Sequence, residues 1–497
     1  MSIPLEHTRY ALRAGATRLL IPGGALLLNP PRQDRLTGLA PAQRGVVESL
    51  GPGPSTAREL SGGTPSSEVT ALLDRLAADG WLTITVSDIE RDYYTLRPFG
   101  VPPTAGTGLG VERSGGAAAS SPQTAGDIGR TSGPEAAPSG PGVRASAAAP
   151  AAAPAVLSKF ALMHRDSDGL VLEHPTSWCD IRLHDPRLAA VIAGANPAEL
   201  GLPATISARF AADLRHAGFT LADPAAEEST FTTRSWSAPD LWFHRRSTLG
   251  PRTLTWDDFG PTRWAATEFP PLPARRPPYP APPLALPVPD LATLRATDPP
   301  LAAVLEDRRS HRAFDDAAPL TLPQLAELLY RTSRTRSVET TPAGDELPSR
   351  PYPSGGSVHE LELYPVVRHV TGLPPAMYHY DSHTHALHEV APADSPAVRR
   401  LLTTAAATLT AAATPQLLLV LAARAGRAMW TYEQVAYANT LKHAGVLTQT
   451  LYLAATAMNL GAVAQAFTDT AAFATATGVD ELEECPVGSM VIGSIGR

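Results

Sequence analysis

The chain has 497 residues, with 41 Lys+Arg against 48 Asp+Glu, and its net charge of -7 gives no electrostatic reason for nucleic acid as the main partner. Two cysteines, Cys179 and Cys485, are too few and too far apart for a disulfide framework or a zinc site, so no metal is expected and the thiols read as buried groups in a reducing cytoplasm. No run approaches the roughly 18 apolar residues of a membrane span, and no signal peptide is recognisable, so no membrane partner and a soluble, cytoplasmic protein are expected.

Residues 1–100 read as one small winged-helix-like unit. A short hairpin, Leu19–Ile21 and Ala25–Leu28 around Gly23-Gly24, precedes helical stretches. Thr64-Pro65 has the chemistry of a helix start, and Val69, Leu72, Leu73 and Leu76 share one helical face before Gly80 and the strand-like WLTITV. Residues 101–156 are Gly, Ser, Ala, Pro and Thr with almost no large apolar side chain, the composition of a disordered linker. A second winged-helix-like unit with its connector occupies 157–264: Asp168-Gly169 marks a hairpin, and RHAGFTL closes it much as AADGWLT closes the first. Residues 265–298 form a Pro-rich connector, extended and semi-rigid, which reads best as wrapping over its own domain or a partner subunit. From 299 to 497 strands and helices alternate, with helices near 299–309 and 322–333, strands at 360–370 and 416–423, a long helix from about 431 to 459 and a last strand near 488–494. The class is therefore α+β.

Three elements of that last domain carry chemistry. Arg308-Arg309-Ser310-His311-Arg312 places guanidiniums and a hydroxyl within about one turn, a phosphate clamp, with a solvated basic helix end as the competing reading. Arg350-Pro-Tyr-Pro-Ser-Gly-Gly-Ser357 puts small residues before a strand, where backbone can approach a planar ligand closely, or simply turn. LYLAATAMNLGAVAQAF at 451–467 is an apolar helix running into a glycine turn and a strand, by itself core packing.

In this order the three resemble the nitroreductase-like FMN flavoproteins, and within them the SagB-type azoline dehydrogenases; DLWFHRRSTLG at 240–250 resembles that group's signature upstream of the flavin domain. The resemblance covers about 157–497 and implies a mixed sheet flanked by helices, bound FMN, and a homodimer with each flavin between two subunits. It also implies that Arg308, Ser310 and Arg312 hold the phosphate, while Pro353, Ser354, Gly355 and Ser357 approach the ring or ribityl chain, partly from the second subunit. Gln465 and Ala466 fall where backbone amides approach the isoalloxazine, and Arg497 where a terminal base reaches the phosphate. The implied activity is oxidation of peptide thiazolines and oxazolines to azoles in the biosynthesis of a ribosomally made, modified peptide. A precursor peptide is then substrate, and a cyclodehydratase is a candidate partner. No dinucleotide-binding glycine fingerprint appears.

The family's Lys-Tyr pair is broken here, because WTYEQV puts Thr431 in the lysine's place and keeps Tyr432, and threonine is no base. Tyr432, Lys442 and His443 are the nearby substitutes, although Lys442 stands roughly 15 Å further along a helix. Three functions remain open: an azoline dehydrogenase, a general FMN-dependent nitro or quinone reductase, and a non-catalytic scaffold that binds the precursor. The N-terminal unit resembles leader-recognition elements that take a peptide as an added strand. Its helix VTALLDRLAADG, with Arg75 against two aspartates, argues against a DNA-binding role.

Overall fold

Leu417–Ala423 is apolar at every position and Leu361–Val367 at nearly every one, the pattern of strands covered on both faces. The computed structural model describes residues 7–103, 156–250, 252–410 and 413–496. These fall into two units, Met1–Phe243 and His244–Arg497.

In the second unit the two apolar strands lie in the middle of a seven-stranded sheet. From edge to edge it runs Leu284–Ala285, Ala386–Pro392, Ala376–Asp381, Leu361–Val367, Leu417–Ala423, Cys485–Ser494 and Leu460–Gln465. Period-two alternation divides the side chains. Leu361, Leu363, Leu417, Leu419 and Leu421 pack against the helices Leu322–Ser333 and Ala436–Ala457. Tyr364, Val366, Leu418 and Val420 pack against Pro396–Ala406 and Thr470–Thr477 on the other face. The α+β class holds with one departure: every ladder of this sheet is antiparallel, where a mixed sheet was expected.

The Pro-rich segment lies on its own unit. Leu284–Ala285 forms an edge strand, where missing N–H groups are tolerated. Arg275 pairs with Asp381 at 2.6 Å, and Arg276 with Glu484 at 2.9 Å.

The expected long helix is broken. Ala425–Thr431 ends, Tyr432 is extended (φ -123°, ψ 142°), and the helix resumes at Ala436–Ala457. Tertiary contacts take the amides that a continuous helix would use: Glu433 N–H donates to Gly260 O at 2.8 Å, and Gln434 N–H to Phe259 O at 3.3 Å. The turn after the helix is made by Asn459 (φ 54°), not by the glycine. Gly461 lies inside the following strand, where a Cβ would stand 3.1 Å from His311 and Phe314.

The first unit joins what the sequence divides. Strands from both expected winged-helix-like units form a single seven-stranded sheet, because Asp92–Pro98 pairs with Cys179–Leu183. A separate three-stranded sheet, Thr17–Ile21, Gly24–Asn29 and Arg32–Thr37, precedes the helices Pro41–Ser49, Ala57–Ser61 and Ser67–Ala78. The last of these is capped by Ser66, whose hydroxyl accepts from Val69 N–H, rather than by Thr64-Pro65. The two helix endings do match: Gly80 and Gly218 take φ of 71° and 76°, and the following Trp81 and Phe219 N–H groups donate back to Leu76 O and Leu214 O. The linker expected at 101–156 lies largely outside the described residues, as does Arg497. Among the described residues no helix is long and apolar enough to cross a membrane, and no group of three or more His, Cys, Asp or Glu side chains gathers as metal ligands would.

Candidate functional site

Two clusters in the second unit contain most of the residues singled out from sequence. The first forms where the segment after Leu301–Asp307 crosses the end of Leu460–Gln465. Its centre is Tyr452, whose hydroxyl accepts from Ala464 N–H at 2.8 Å and lies 3.0 Å from Ser310 Oγ. The Arg308 guanidinium stands 5.3 Å above the same ring. His311 N–H donates to Ala462 O at 2.9 Å, tying the segment to the strand. Burial, and then Arg309, push the His311 imidazole below its ordinary range. Arg309 and Arg312 are exposed, and among the described residues no carboxylate pairs with Arg308, Arg309 or Arg312. Several guanidiniums without acidic partners in one short segment suit an anion such as phosphate.

Gln465 is buried, with its amide donating to Ala405 O at 2.7 Å and Thr408 Oγ1 at 2.6 Å and accepting from Ser489 Oγ at 2.9 Å. Its side chain is thereby committed to the core, so a ligand can meet only its backbone and that of the exposed Ala466. Gln416, which the sequence did not single out, is fully buried and its Oε1 accepts from both Leu320 N–H and Ser494 N–H at 3.0 Å. With its Nε2 donating to Asp315 O at 2.8 Å, it ties the last strand to Asp315 and Leu320, which follow the Arg308–Arg312 run in the chain.

The second cluster is the turn Ser354–Val358 against the start of the long helix. Gly356, Ser357 and His359 all take left-handed backbone, with φ of 60°, 54° and 45°. Two non-glycine residues in that region within three positions store strain that the surroundings must hold in place. Pro353, Gly356 and Ser357 are exposed while Ser354 and Gly355 are half-buried. Gly355 N–H donates to His443 Nε2 at 2.8 Å, His443 Nδ1 meets Glu360 Oε1 at 2.8 Å, and His359 N–H donates to Ser354 Oγ at 3.0 Å. Burial raises the Glu360 carboxyl, but the polar contacts around it, led by the His443 hydrogen bond, together leave it below the usual carboxylate range. His359 is lowered to about 3, first by burial and then by Arg350, and so stays neutral.

Tyr432 closes this cluster: a Cβ on Gly356 would stand 2.6 Å from its hydroxyl oxygen. Burial raises the phenol above its ordinary value. Thr431 is turned back on its helix, with Oγ1 donating to Arg427 O at 3.3 Å. Lys442 is exposed and takes no part, while its neighbour His443 points inward. Of the three substitutes for the missing lysine, the turn thus gathers Tyr432 and His443 and leaves Lys442 out. Tyr452 and Glu360 escaped the sequence reading; Tyr452 stood inside a quoted block, but nothing local marks its hydroxyl as a tether.

His443 and Tyr452 sit on one helix, about 14 Å apart along its axis and about 180° apart around it at 3.6 residues per turn. The two clusters therefore face opposite sides of that helix.

Comparison with known proteins assigns residues 305–494 to the Nitroreductase family and residues 155–253 to the family described as Cyanobactin oxidase ThcOx. The chain thus carries a nitroreductase-family domain and is an oxidoreductase. A putative nitroreductase of Methanocaldococcus jannaschii is 28% identical over 176 residues, which cover 35% of this chain and 80% of that protein. A putative nitroreductase from Ralstonia eutropha, solved as a crystal structure, is 24% identical over 46% of this chain and 95% of its own, with a TM-score of 0.34. A chain of the Escherichia coli microcin synthetase McbBCD complex, solved with truncated pro-MccB17 bound, is 19% identical over 42% of this chain and 75% of its own, also at 0.34.

Proposed function

We propose that this oxidoreductase is an FMN-dependent dehydrogenase that converts azolines in a ribosomally made peptide to azoles. The observation that carries the reading is the pairing of a nitroreductase-family domain with a segment matching a cyanobactin oxidase, which favours peptide oxidation over general nitro or quinone reduction.

The residues present suit FMN. Arg308, Ser310 and Arg312 would hold its phosphate; Arg497, expected from the sequence to join them, lies outside the described residues. The exposed turn from Pro353 to Ser357 would meet its ring or ribityl chain, as would the backbone of Gln465 and Ala466. Because the two clusters face opposite sides of the long helix, one chain does not converge both on one ligand. A second copy supplying the turn resolves this, and Leu441 and Val446 on the long helix and Leu301 and Leu305 on the helix Leu301–Asp307 expose apolar surface for such a contact. When bound, FMN supplies the hydride acceptor.

Within the chain, Tyr432 is held in its protonated form and donates a hydrogen bond to the substrate. Thr431, bonded to its own helix, provides no base, so the acidified α-proton of the azoline leaves to water at the exposed edge of the turn. Aromatisation makes the oxidation downhill. The precursor peptide binds as an added strand at an open edge of the three-stranded sheet of the first unit, where backbone hydrogen bonds carry affinity. A cyclodehydratase supplies the azoline.

The visible spectrum of the purified protein, with mass analysis of the ligand released on denaturation, tests the cofactor. Incubation with an azoline-bearing peptide then tests the reaction, each ring losing the mass of a hydrogen pair. Stoichiometric FMN with loss of that mass supports the reading. Steady nicotinamide oxidation with nitro or quinone acceptors and no change in the peptide replaces it by a general reductase. A protein that stays colourless after added FMN leaves a scaffold.

A further inference from the structure

We infer that His443 and Glu360 form a positioning pair that sets the strained turn Ser354–Val358 in the shape through which it meets the cofactor. The inference rests on the cofactor-facing role of that turn given above. His443 has each ring nitrogen committed. Nε2 accepts the Gly355 N–H at 2.8 Å and so carries no proton, which leaves the proton on Nδ1, where it is donated to Glu360 Oε1 at 2.8 Å. The geometry thereby selects one neutral tautomer. Glu360 is fully buried, and His443 is the side chain that holds its Oε1, while Oε2 has no hydrogen-bond partner among the described residues, so the carboxylate depends on this one contact. Ser354 Oγ closes the other side, at 3.4 Å from His443 Nδ1 and accepting His359 N–H.

The arrangement spans 88 positions between Gly355 and His443 and anchors the turn directly beside its three left-handed residues. Strained backbone persists only where the surroundings over-determine it. His443 is buried with both nitrogens engaged, so its part is to hold the turn rather than to move a proton.

The test separates the two ring nitrogens in the full-length protein. In His443→Gln the side-chain oxygen can reach the former Nε2 position and still accept from Gly355. In His443→Asn the shorter amide keeps to the Nδ1 position and Gly355 loses its acceptor. Hydrogen–deuterium exchange of the peptide containing Gly355, read with and without added FMN, should quicken by about five- to tenfold in His443→Asn and stay within about twofold of the parent in His443→Gln. The dissociation constant for FMN, from flavin fluorescence quenching, should rise in the same order. Equal behaviour of the two variants overturns the pair. If His443→Asn does not fold, Glu360→Ala against Glu360→Gln gives the same comparison from the carboxylate side, where equal exchange again overturns it. If exchange follows the expected order while FMN affinity stays constant in every variant, the cofactor-facing role of the turn fails and the pair's grip on the backbone does not.

Discussion

Gly356→Ala probes the contact that joins Tyr432 to the turn. At φ 60° an L side chain sits in the left-handed region, which costs about 1–2 kcal/mol for a non-glycine residue. The added Cβ would also stand 2.6 Å from the Tyr432 hydroxyl oxygen and 3.4 Å from Cζ, so the ring must move. That ring lies edge-on to Trp256 with centroids 6.4 Å apart, and disturbing the pair adds on the order of 1 kcal/mol. The total is about 2–3 kcal/mol, which for a unit of this size lowers the thermal midpoint by roughly 4–12 °C. Thermal unfolding followed by tryptophan fluorescence measures it. Tyr432→Phe removes the hydroxyl, so in that background Gly356→Ala should cost only the backbone part, about 1–2 kcal/mol, leaving a coupling of about 1 kcal/mol. The same cost in both backgrounds, or none in either, would refute the reasoning.

Tyr452→Phe leaves the Ala464 N–H without its acceptor and frees Ser310, so it should destabilise the domain by about 1–3 kcal/mol and weaken FMN binding; unchanged FMN affinity would separate Tyr452 from the phosphate segment. Glycines of the strand Cys485–Ser494 should differ sharply. A Cβ on Gly493 meets Phe314 at 2.6 Å and Gln416 at 3.0 Å, so Gly493→Ala should cost about 1–3 kcal/mol, while Gly488→Ala, whose nearest neighbour is 3.8 Å away, should be tolerated in a melting experiment. His359 gives a pH dependence. Its folded pKa, about 3, lies below the 6.5 of the unfolded chain, so below pH 6.5 the unfolded state takes up a proton that the folded state does not. Stability is full above that value and declines toward about 3, with up to about 2 kcal/mol lost between pH 7 and 5. His359→Asn, which suits the left-handed backbone, should flatten that slope in denaturant titrations; an unchanged slope would assign it to other groups.

Where local physics decides, the chain could be read directly. The two-sided apolar strand Leu417–Ala423, the Asp168-Gly169 turn and the glycines that end two helices before Trp81 and Phe219 need only periodicity and a permitted positive φ. The Arg308–Arg312 run and the small residues before Leu361 also stand out, since their chemistry lies in adjacent positions. Other features depended on partners distant in sequence. Ala376–Asp381 carries histidine, tyrosine and carboxylate side chains that look exposed, yet it is buried throughout because His379 finds Glu362 at 3.0 Å and Tyr380 finds His385 at 2.9 Å. Arg32–Thr37 is polar and became a strand by pairing with Gly24–Asn29. The break at Tyr432 exists because Phe259 and Gly260 receive the amides of Gln434 and Glu433. His443 with Glu360, and Tyr452 with Ser310, are juxtaposed across 83 and 142 positions, and no pattern in the intervening residues encodes those contacts. The sequence determined which segments favour helix, strand or turn and where the chemically capable residues lie. The tertiary structure decided which of those residues meet, because a buried polar group is stable only where folding brings it a partner.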